Sequence, residues 1–177
     1  MQLKQRHLKR WAELQSQGKG VSYFENDVIG NAFQYDETLC KDNRYIDCIK
    51  LRTNTSGVRV ALARAGLAQD VSCRICKYPA ETLGHVIGQC VTHASRRIAR
   101  HNKIVQILSK HCQLRGYTVM EEPRFHLGTT LLKPDLIVTR GQTRTVIDVT
   151  VRIEDEGMCE RAVQEKTEKY SKLKGQF

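Results

Sequence analysis

Two groups of residues in this 177-residue chain have the types and spacing to do chemistry. One is Lys133-Pro134-Asp135 followed, thirteen residues after that acid, by Asp148. Pro134 stiffens the approach, Leu136, Ile137 and Val138 read as a short strand, and Gly141 with Gln142 supplies a turn. Val146 to Ile153 then alternates. Ile147, Val149, Val151 and Ile153 share one face, and Val146, Asp148, Thr150 and Arg152 share the other. Pairing the two strands around Gly141 would bring Asp135 and Asp148 together at one sheet edge. Two carboxylates that close repel unless one keeps its proton or a cation sits between them. A hard divalent ion suits oxygens, and Mg²⁺ commonly takes one or two carboxylates and keeps several waters.

The second group is Cys73, Cys76, His85 and Cys90, a C-x2-C-x8-H-x4-C pattern. Two cysteines two residues apart fit a tight knuckle whose thiolates converge on one tetrahedral ion. Zn²⁺ matches such borderline-soft ligands, and a shell closed by four protein ligands leaves no open position for a substrate. A structural role follows. Zinc binding at such a site is worth roughly 10–16 kcal/mol and appears as folding energy. His85 to Cys90 is expected to begin a helix that presents the two ligands on successive turns.

Lys-Pro-Asp with a second Asp in an apolar strand resembles the PD-(D/E)xK restriction-like nuclease core. The lysine expected two residues after the second acid is here Thr150. The helical segment Glu156 to Gln176 carries Lys166-Thr-Glu-Lys169-Tyr170, and at helical spacing Lys166, Lys169, Tyr170 and Leu173 share a face. This relocated Lys-x-x-Lys-Tyr, the Asp pair, Arg100-His101-Asn102 and the upstream CCHC cluster are together similar to the endonuclease region of site-specific non-LTR retrotransposon proteins. The resemblance implies that Asp135, Asp148 and the Val149 carbonyl hold Mg²⁺ or Mn²⁺. It implies that Lys166 or Lys169 orients the nucleophile or braces the transition state, with Tyr170 positioning that lysine. Arg97, Arg100, His101 and Asn102 would handle DNA near the cut. The implied activity is that of a metal-dependent DNA endonuclease, nicking a chromosomal target so that a reverse transcriptase can prime from the nick. The implied partners are double-stranded DNA, with retrotransposon RNA a further candidate, and the rest of a larger reverse transcriptase polypeptide. The implied compartment is the nucleus.

The totals agree with a polyanionic partner. Lys and Arg number 29 against 19 acids, a formal charge of +10. That excess favours nucleic acid before membrane, because each neutralised phosphate releases counterions. It is also clustered: Arg96, Arg97, Arg100, Lys103, Lys110 and Arg115 lie between Val91 and Met120, which hold no acid. No apolar run reaches bilayer-spanning length. Seven cysteines, an odd number with three at metal spacing beside a histidine, suit a reducing compartment better than a disulfide framework. Cys40, Cys48, Cys112 and Cys159 read as small buried apolar residues.

The elements that must carry these groups divide into residues 1–70, a helical region, 71–92, the knuckle, and 93–177, the restriction-like endonuclease domain. Met1 to Gln17 reads as a helix ended by Gly18-Lys19-Gly20, and Val21 to Lys41 as a helix-rich linker. Arg44 to Ala65 reads as two helices broken at Asn54-Thr-Ser-Gly57. Ala94 to Leu114 reads as one long helix, buried through Ile98, Ile104, Ile107, Leu108 and Cys112. Strands are expected at Tyr117–Phe125, Lys133–Arg140 and Val146–Ile153, and a helix from Glu156. The class is therefore mixed, α+β or α/β, with an αβββα core lacking the closing strand of a restriction-like αβββαβ fold. A competing class is a non-catalytic, zinc-ordered basic module of a larger reverse transcriptase protein that grips DNA or RNA. A third is a holding scaffold for a larger enzyme. Metal-dependent cleavage separates the enzyme from a binder, whose signature is affinity falling steeply with salt and no product.

Overall fold

Leu136, Ile137 and Val138 form a continuous apolar run, and all three are buried in the computed structural model. A strand apolar on both faces has to be central. It is: β4 (Leu136–Arg140) lies between β1 (Thr118–Glu121) and β5 (Thr143–Ile147) in an antiparallel sheet ordered β1-β4-β5. Leu136 faces Ile147 and Arg140 faces Thr143 across the turn, where Gly141 takes the left-handed conformation (φ 59°). Residues 2–36, 38–153 and 157–175 are described by the structure. They divide into two compact units, Met1–His93 with Ile153–Glu156, and Ala94–Arg152 with Gly157–Phe177.

The strands differ from expectation at their ends, each for a local reason. The first expected strand, Tyr117–Phe125, is split: Glu122 turns left-handed (φ 47°) and Pro123 follows. Phe125 belongs instead to a separate hairpin of β2 (Phe125–Leu127) and β3 (Thr130–Leu132) that turns at Gly128 (φ 59°). The second strand begins at Leu136 and not at Lys133, since Pro134 has no N–H for a ladder bond. The third ends at Ile147, so Asp148 to Ile153 is not strand. The Val149 N–H donates to the Asp135 carboxylate at 2.6 Å, and the Lys133 carbonyl accepts from the Tyr170 hydroxyl at 3.1 Å. Side chains have taken groups that a longer ladder would need.

Two helices cover the sheet's unit. α5 (Ala94–Leu114) packs on β1 and β4. Its buried residues are Val105 and Ser109, whereas Ile98 and Ile107, expected in the core, are 60% and 46% exposed. The inward stripe runs through His101, Val105 and Ser109 at intervals of four, because carboxylates wait there for the two polar residues. Ser109 Oγ donates to Glu121 Oε1 at 2.6 Å. α6 (Met158–Ser171) starts after left-handed Gly157 (φ 67°) and turns Ala162 and Tyr170 inward. Tyr170, Leu173 and Leu132 form a small core against which Phe125, Leu127 and Val146 pack, so the β2–β3 hairpin steadies this helix. The first and last positions expected of it, Glu156 and Gln176, lie outside the described residues.

The other unit is built from α1 (Gln2–Ala12), α2 (Val21–Phe24), α3 (Asp42–Arg52) and α4 (Arg59–Arg64). The Trp11 ring meets Phe24 at 5.3 Å, and the Arg52 guanidinium lies over the Phe24 ring at 4.6 Å. α1 stops at Ala12, short of the expected Gln17; Met1 lies outside the described residues. The chain folds back there so tightly that a Cβ on Gly18 would be driven into the carbonyl oxygens of Trp11, Ala12 and Leu14. The pair α3 and α4, with its break after Arg52, matches the two-helix expectation for Arg44–Ala65.

Candidate functional sites

In the first unit the four knuckle ligands converge: the donor atoms of Cys73, Cys76, His85 and Cys90 all lie within 4.8 Å of one another. Cys73, His85 and Cys90 are buried. The loop closes by Lys77 N–H to Cys73 O and Cys73 N–H to Tyr78 O, with Lys77 left-handed (φ 61°). The Cys76 main-chain N–H draws the Cys73 thiol down to about 6, overcoming burial, so this sulfur is largely thiolate at neutral pH. Cys76 moves upward: the Tyr78 N–H lowers it, but burial and the neighbouring Cys73 and Cys90 outweigh that. Crowded thiolates of this kind favour a soft cation. The His85 ring stacks on the Tyr78 ring at 4.7 Å, and the His85 main-chain N–H donates to Thr82 Oγ1. His85 and Cys90 do not lie on successive helical turns as expected. One wide turn, closed from Cys90 N–H to the His85 carbonyl at 2.6 Å, presents both.

One residue in this unit escaped sequence reasoning. Glu81 is 2% exposed and is the clasp between the knuckle and α4. Its carboxylate accepts from the Arg59 N–H at the start of α4, whose N-cap Val58 has no side-chain acceptor. It also accepts from the Arg74 N–H at 2.7 Å and from the Arg74 guanidinium at 2.5 and 2.9 Å. The Arg74 side chain pulls the carboxyl down to about 2 against the opposing effect of burial. The available signal was Glu81 standing as the single acid between Val71 and Met120.

In the second unit, Asp135 and Asp148 are the residues next beyond the last ladder pair, Leu136 with Ile147. Asp148 is enclosed by α6. Its Oδ1 accepts from the Tyr170 hydroxyl at 2.6 Å, and its Oδ2 meets the Lys166 ammonium at 2.6 Å. That second oxygen is buried and forms an ion pair without a well-angled hydrogen bond. Burial and the Asp148 carboxylate push the Tyr170 phenol up, so it remains a donor. Lys169 stands outside, its Nζ 4.8 Å over the Tyr170 ring.

Asp135 Oδ2 accepts the Val149 N–H and lies 3.2 Å from His101 Nε2, which is also 3.2 Å from the Val149 carbonyl oxygen. His101 Nδ1 lies 3.3 Å from Asn102 Oδ1. Burial lowers the His101 pKa, but the Asn102 oxygen, Asp135 and the Val149 carbonyl outweigh it and the net shift is upward. His101 is thus turned into the carboxylate edge. Asn102 is exposed, and Arg97 and Arg100 are half-buried on the same helix. Lys133 pairs with Glu122 at 2.7 Å, and the Glu122 N–H donates to the Asp135 carbonyl.

Fold and sites together define a mixed helix-and-sheet protein with small antiparallel sheets and a Cys/His cluster able to hold a metal such as zinc. Its homologues are regions of the Pol polyproteins of R2 retrotransposable elements. The chain is 31% identical over 135 residues to the retrovirus-related Pol polyprotein from type-2 retrotransposable element R2DM of Drosophila melanogaster, covering 76% of this chain and 13% of that protein. It is 31% identical over 128 residues to a Pol polyprotein from type-1 element R2 of Popillia japonica, covering 72% and 26%. A counterpart from Nasonia vitripennis is 35% identical over 91 residues, covering 51% and 8%. The chain therefore spans a quarter or less of the length of most of these relatives. No protein-family model matches it. Among the described residues no helix is long and apolar enough to cross a membrane.

Proposed function

We propose that this chain is the metal-dependent DNA endonuclease region of a non-LTR retrotransposon Pol protein, nicking a chromosomal target in the nucleus to prime reverse transcription. The observation that carries the reading is the grouping at one end of β4 and β5. There Lys166 and Tyr170 meet Asp148, and His101 and the Val149 main chain meet Asp135. The order α5, β1, β4, β5, α6 supports a restriction-like αβββα core with the β2–β3 hairpin inserted after its first strand. Similarity to R2 Pol polyproteins supports the setting. Residues 1–70, 71–92 and 93–177 then serve as helical lead-in, zinc knuckle and nuclease.

The donors fit a hard divalent ion: a carboxylate oxygen from Asp135, the Val149 carbonyl, and the buried Asp148 Oδ2 that lacks a well-angled hydrogen bond. When bound there, Mg²⁺ or Mn²⁺ supplies an acidified water and charge neutralisation at the attacked phosphate. The chain's own residues do the rest. Tyr170, kept protonated, pins Asp148 against the Lys133 carbonyl. Lys166, on the carboxylate and 34% exposed, is the amine placed to orient the nucleophile or brace the phosphate. Lys169 and the basic face of α5, with Arg97, Arg100 and Asn102, serve the DNA backbone, which positions without specifying sequence. The Cys/His cluster, with all four positions taken by protein, has a structural role.

The test is nicking of supercoiled plasmid in Mg²⁺ or Mn²⁺ by the wild type and by Asp148→Asn, Lys166→Ala and Lys169→Ala. Loss of one preorganised charged group costs roughly 10²–10³ in rate. Asp148→Asn and Lys166→Ala should fall by that much while binding DNA normally, and Lys169→Ala should keep most of its rate. Wild-type speed from Asp148→Asn sinks the proposal. Salt-sensitive binding with no product under either ion would instead make this a binding module.

A further inference from the structure

We infer that His101 supplies a nitrogen ligand to the divalent ion at the Asp135 edge, and that this ligand tilts the site toward Mn²⁺ over Mg²⁺. The inference rests on the nuclease reading for the presence of an ion.

The ring's surroundings carry it. Nδ1 faces Asn102 Oδ1 at 3.3 Å, and Nε2 faces both Asp135 Oδ2 and the Val149 carbonyl oxygen at 3.2 Å. All three neighbours accept hydrogen bonds. A ring protonated at both nitrogens donates to all three. With Nδ1–H kept on Asn102, a divalent cation takes the place of the Nε2 proton between the lone pair and the two oxygens, and the three donors form a coordination set. The spacing also fits. In an octahedral ion with bonds of about 2.1 Å, adjacent donors lie about 3 Å apart. Two such edges, each 3.2 Å, meet at Nε2.

Two features of the fold hold the imidazole there. Its position on α5 is one helical interval before buried Val105 and two before buried Ser109, so the helix that packs on the sheet also aims the ring. Asn102 then fills the place of the outer acceptor that ligating histidines commonly use to fix ring orientation. A nitrogen in an otherwise oxygen set matters for selection. Mg²⁺ prefers oxygen donors and near-ideal octahedra; Mn²⁺ shares the preference for oxygen but, as the first member of the transition series, also gains from a nitrogen ligand.

The test uses the full chain with zinc loaded in the Cys/His cluster, so that Mn²⁺ is not diverted there. Mn²⁺ affinity is read from loss of the free-ion EPR signal, Mg²⁺ affinity by competition, and ligand identity from ¹⁴N modulation of the bound Mn²⁺. Wild type should show the ¹⁴N coupling. His101→Ala should lose it and bind Mn²⁺ at least tenfold more weakly, the range that outer partners alone already reach, with far less effect on Mg²⁺. His101→Gln, which offers an amide oxygen, should also lose the coupling while holding Mg²⁺. Undiminished Mn²⁺ affinity in His101→Ala, or no ¹⁴N coupling in wild type, overturns the inference. Asp135→Asn separates the two levels. If it binds Mn²⁺ like wild type, no ion sits at this edge and the nuclease reading falls as well. If it loses Mn²⁺ while His101→Ala does not, the histidine assignment alone is wrong.

Discussion

Replacing Glu81 by Gln tests whether one buried carboxylate holds the knuckle and α4 as a unit. Gln has the same shape but brings an NH₂ group toward donors, the Arg74 and Arg59 main-chain N–H groups and the Arg74 guanidinium. The carboxyl is drawn from 4.5 to about 2 in the folded chain. At about 1.4 kcal/mol per tenfold change, that difference is a ceiling of roughly 3 kcal/mol. Arg74 is 51% exposed, so solvent screening brings the expected cost of Glu81→Gln to about 2 kcal/mol. The sign follows from the folded value lying below the unfolded one. The stabilisation is complete above about pH 4.5 and is lost as pH falls toward 2. Denaturant unfolding of both proteins, zinc-loaded, should therefore show the full gap at pH 7 and keep it down to about pH 6, below which protonated thiolates release zinc. Equal midpoints at pH 7, or a gap that shrinks between pH 7 and about 6, would refute the clasp.

Four further outcomes follow. Tyr170→Phe keeps the packing against Leu132 and Leu173 but removes the donor to Asp148 and Lys133; stability should fall by roughly 1–3 kcal/mol, and plasmid nicking should fall with DNA affinity unchanged. Gly18→Ala forces a Cβ into three carbonyl oxygens, so thermal unfolding should report a loss of about 1–3 kcal/mol or more. Chelation of zinc should make the buried thiols of Cys73 and Cys90 reactive toward a thiol reagent, in line with metal binding acting as folding energy; continued protection under chelator would show a knuckle that folds without metal. Adding Thr150→Lys to Lys166→Ala should leave plasmid nicking as low as in the single variant, and recovery would show that residue 150 can reach the site.

Much of the sheet was readable because its chemistry is local. A three-residue apolar run and a glycine turn are enough to pair β4 with the segment after Gly141, and Asp135 and Asp148 follow as the positions next in line; of the alternating stretch Val146–Ile153 only Val146 and Ile147 belong to β5. The cysteine spacing is likewise local. What the sequence concealed depends on side chains competing with the backbone. Strand β5 ends early because the Asp135 carboxylate takes the Val149 N–H. The inward face of α5 differs from expectation because periodicity picks out Ile98 and Ile107 as core and passes over the polar His101 and Ser109, which partners elsewhere in the fold draw inward. The β2–β3 hairpin was within reach, since Gly128 and Thr129 separate Phe125-His-Leu from Thr-Leu-Leu. Apart from Phe125, it fell in the gap between the strands expected at Tyr117–Phe125 and Lys133–Arg140.

The early end of β5 also gives a physical account of where the lysine of the proposed nuclease site sits. A residue two places after Asp148 projects beside it only if the strand continues, keeping positions 148 and 150 on one face. Here the chain leaves the sheet at Ile147, and Thr150 has no ladder to hold it. An amine aimed from that point would be poorly oriented. α6 offers a rigid alternative: Ala162, Lys166 and Tyr170 recur at intervals of four, with Ala162 and Tyr170 buried. The packing that seats Tyr170 on Asp148 therefore carries Lys166 to the same carboxylate one turn earlier. Moving the lysine to the helix exchanges strand geometry for helix geometry, and Tyr170 supplies the anchor that makes the exchange hold.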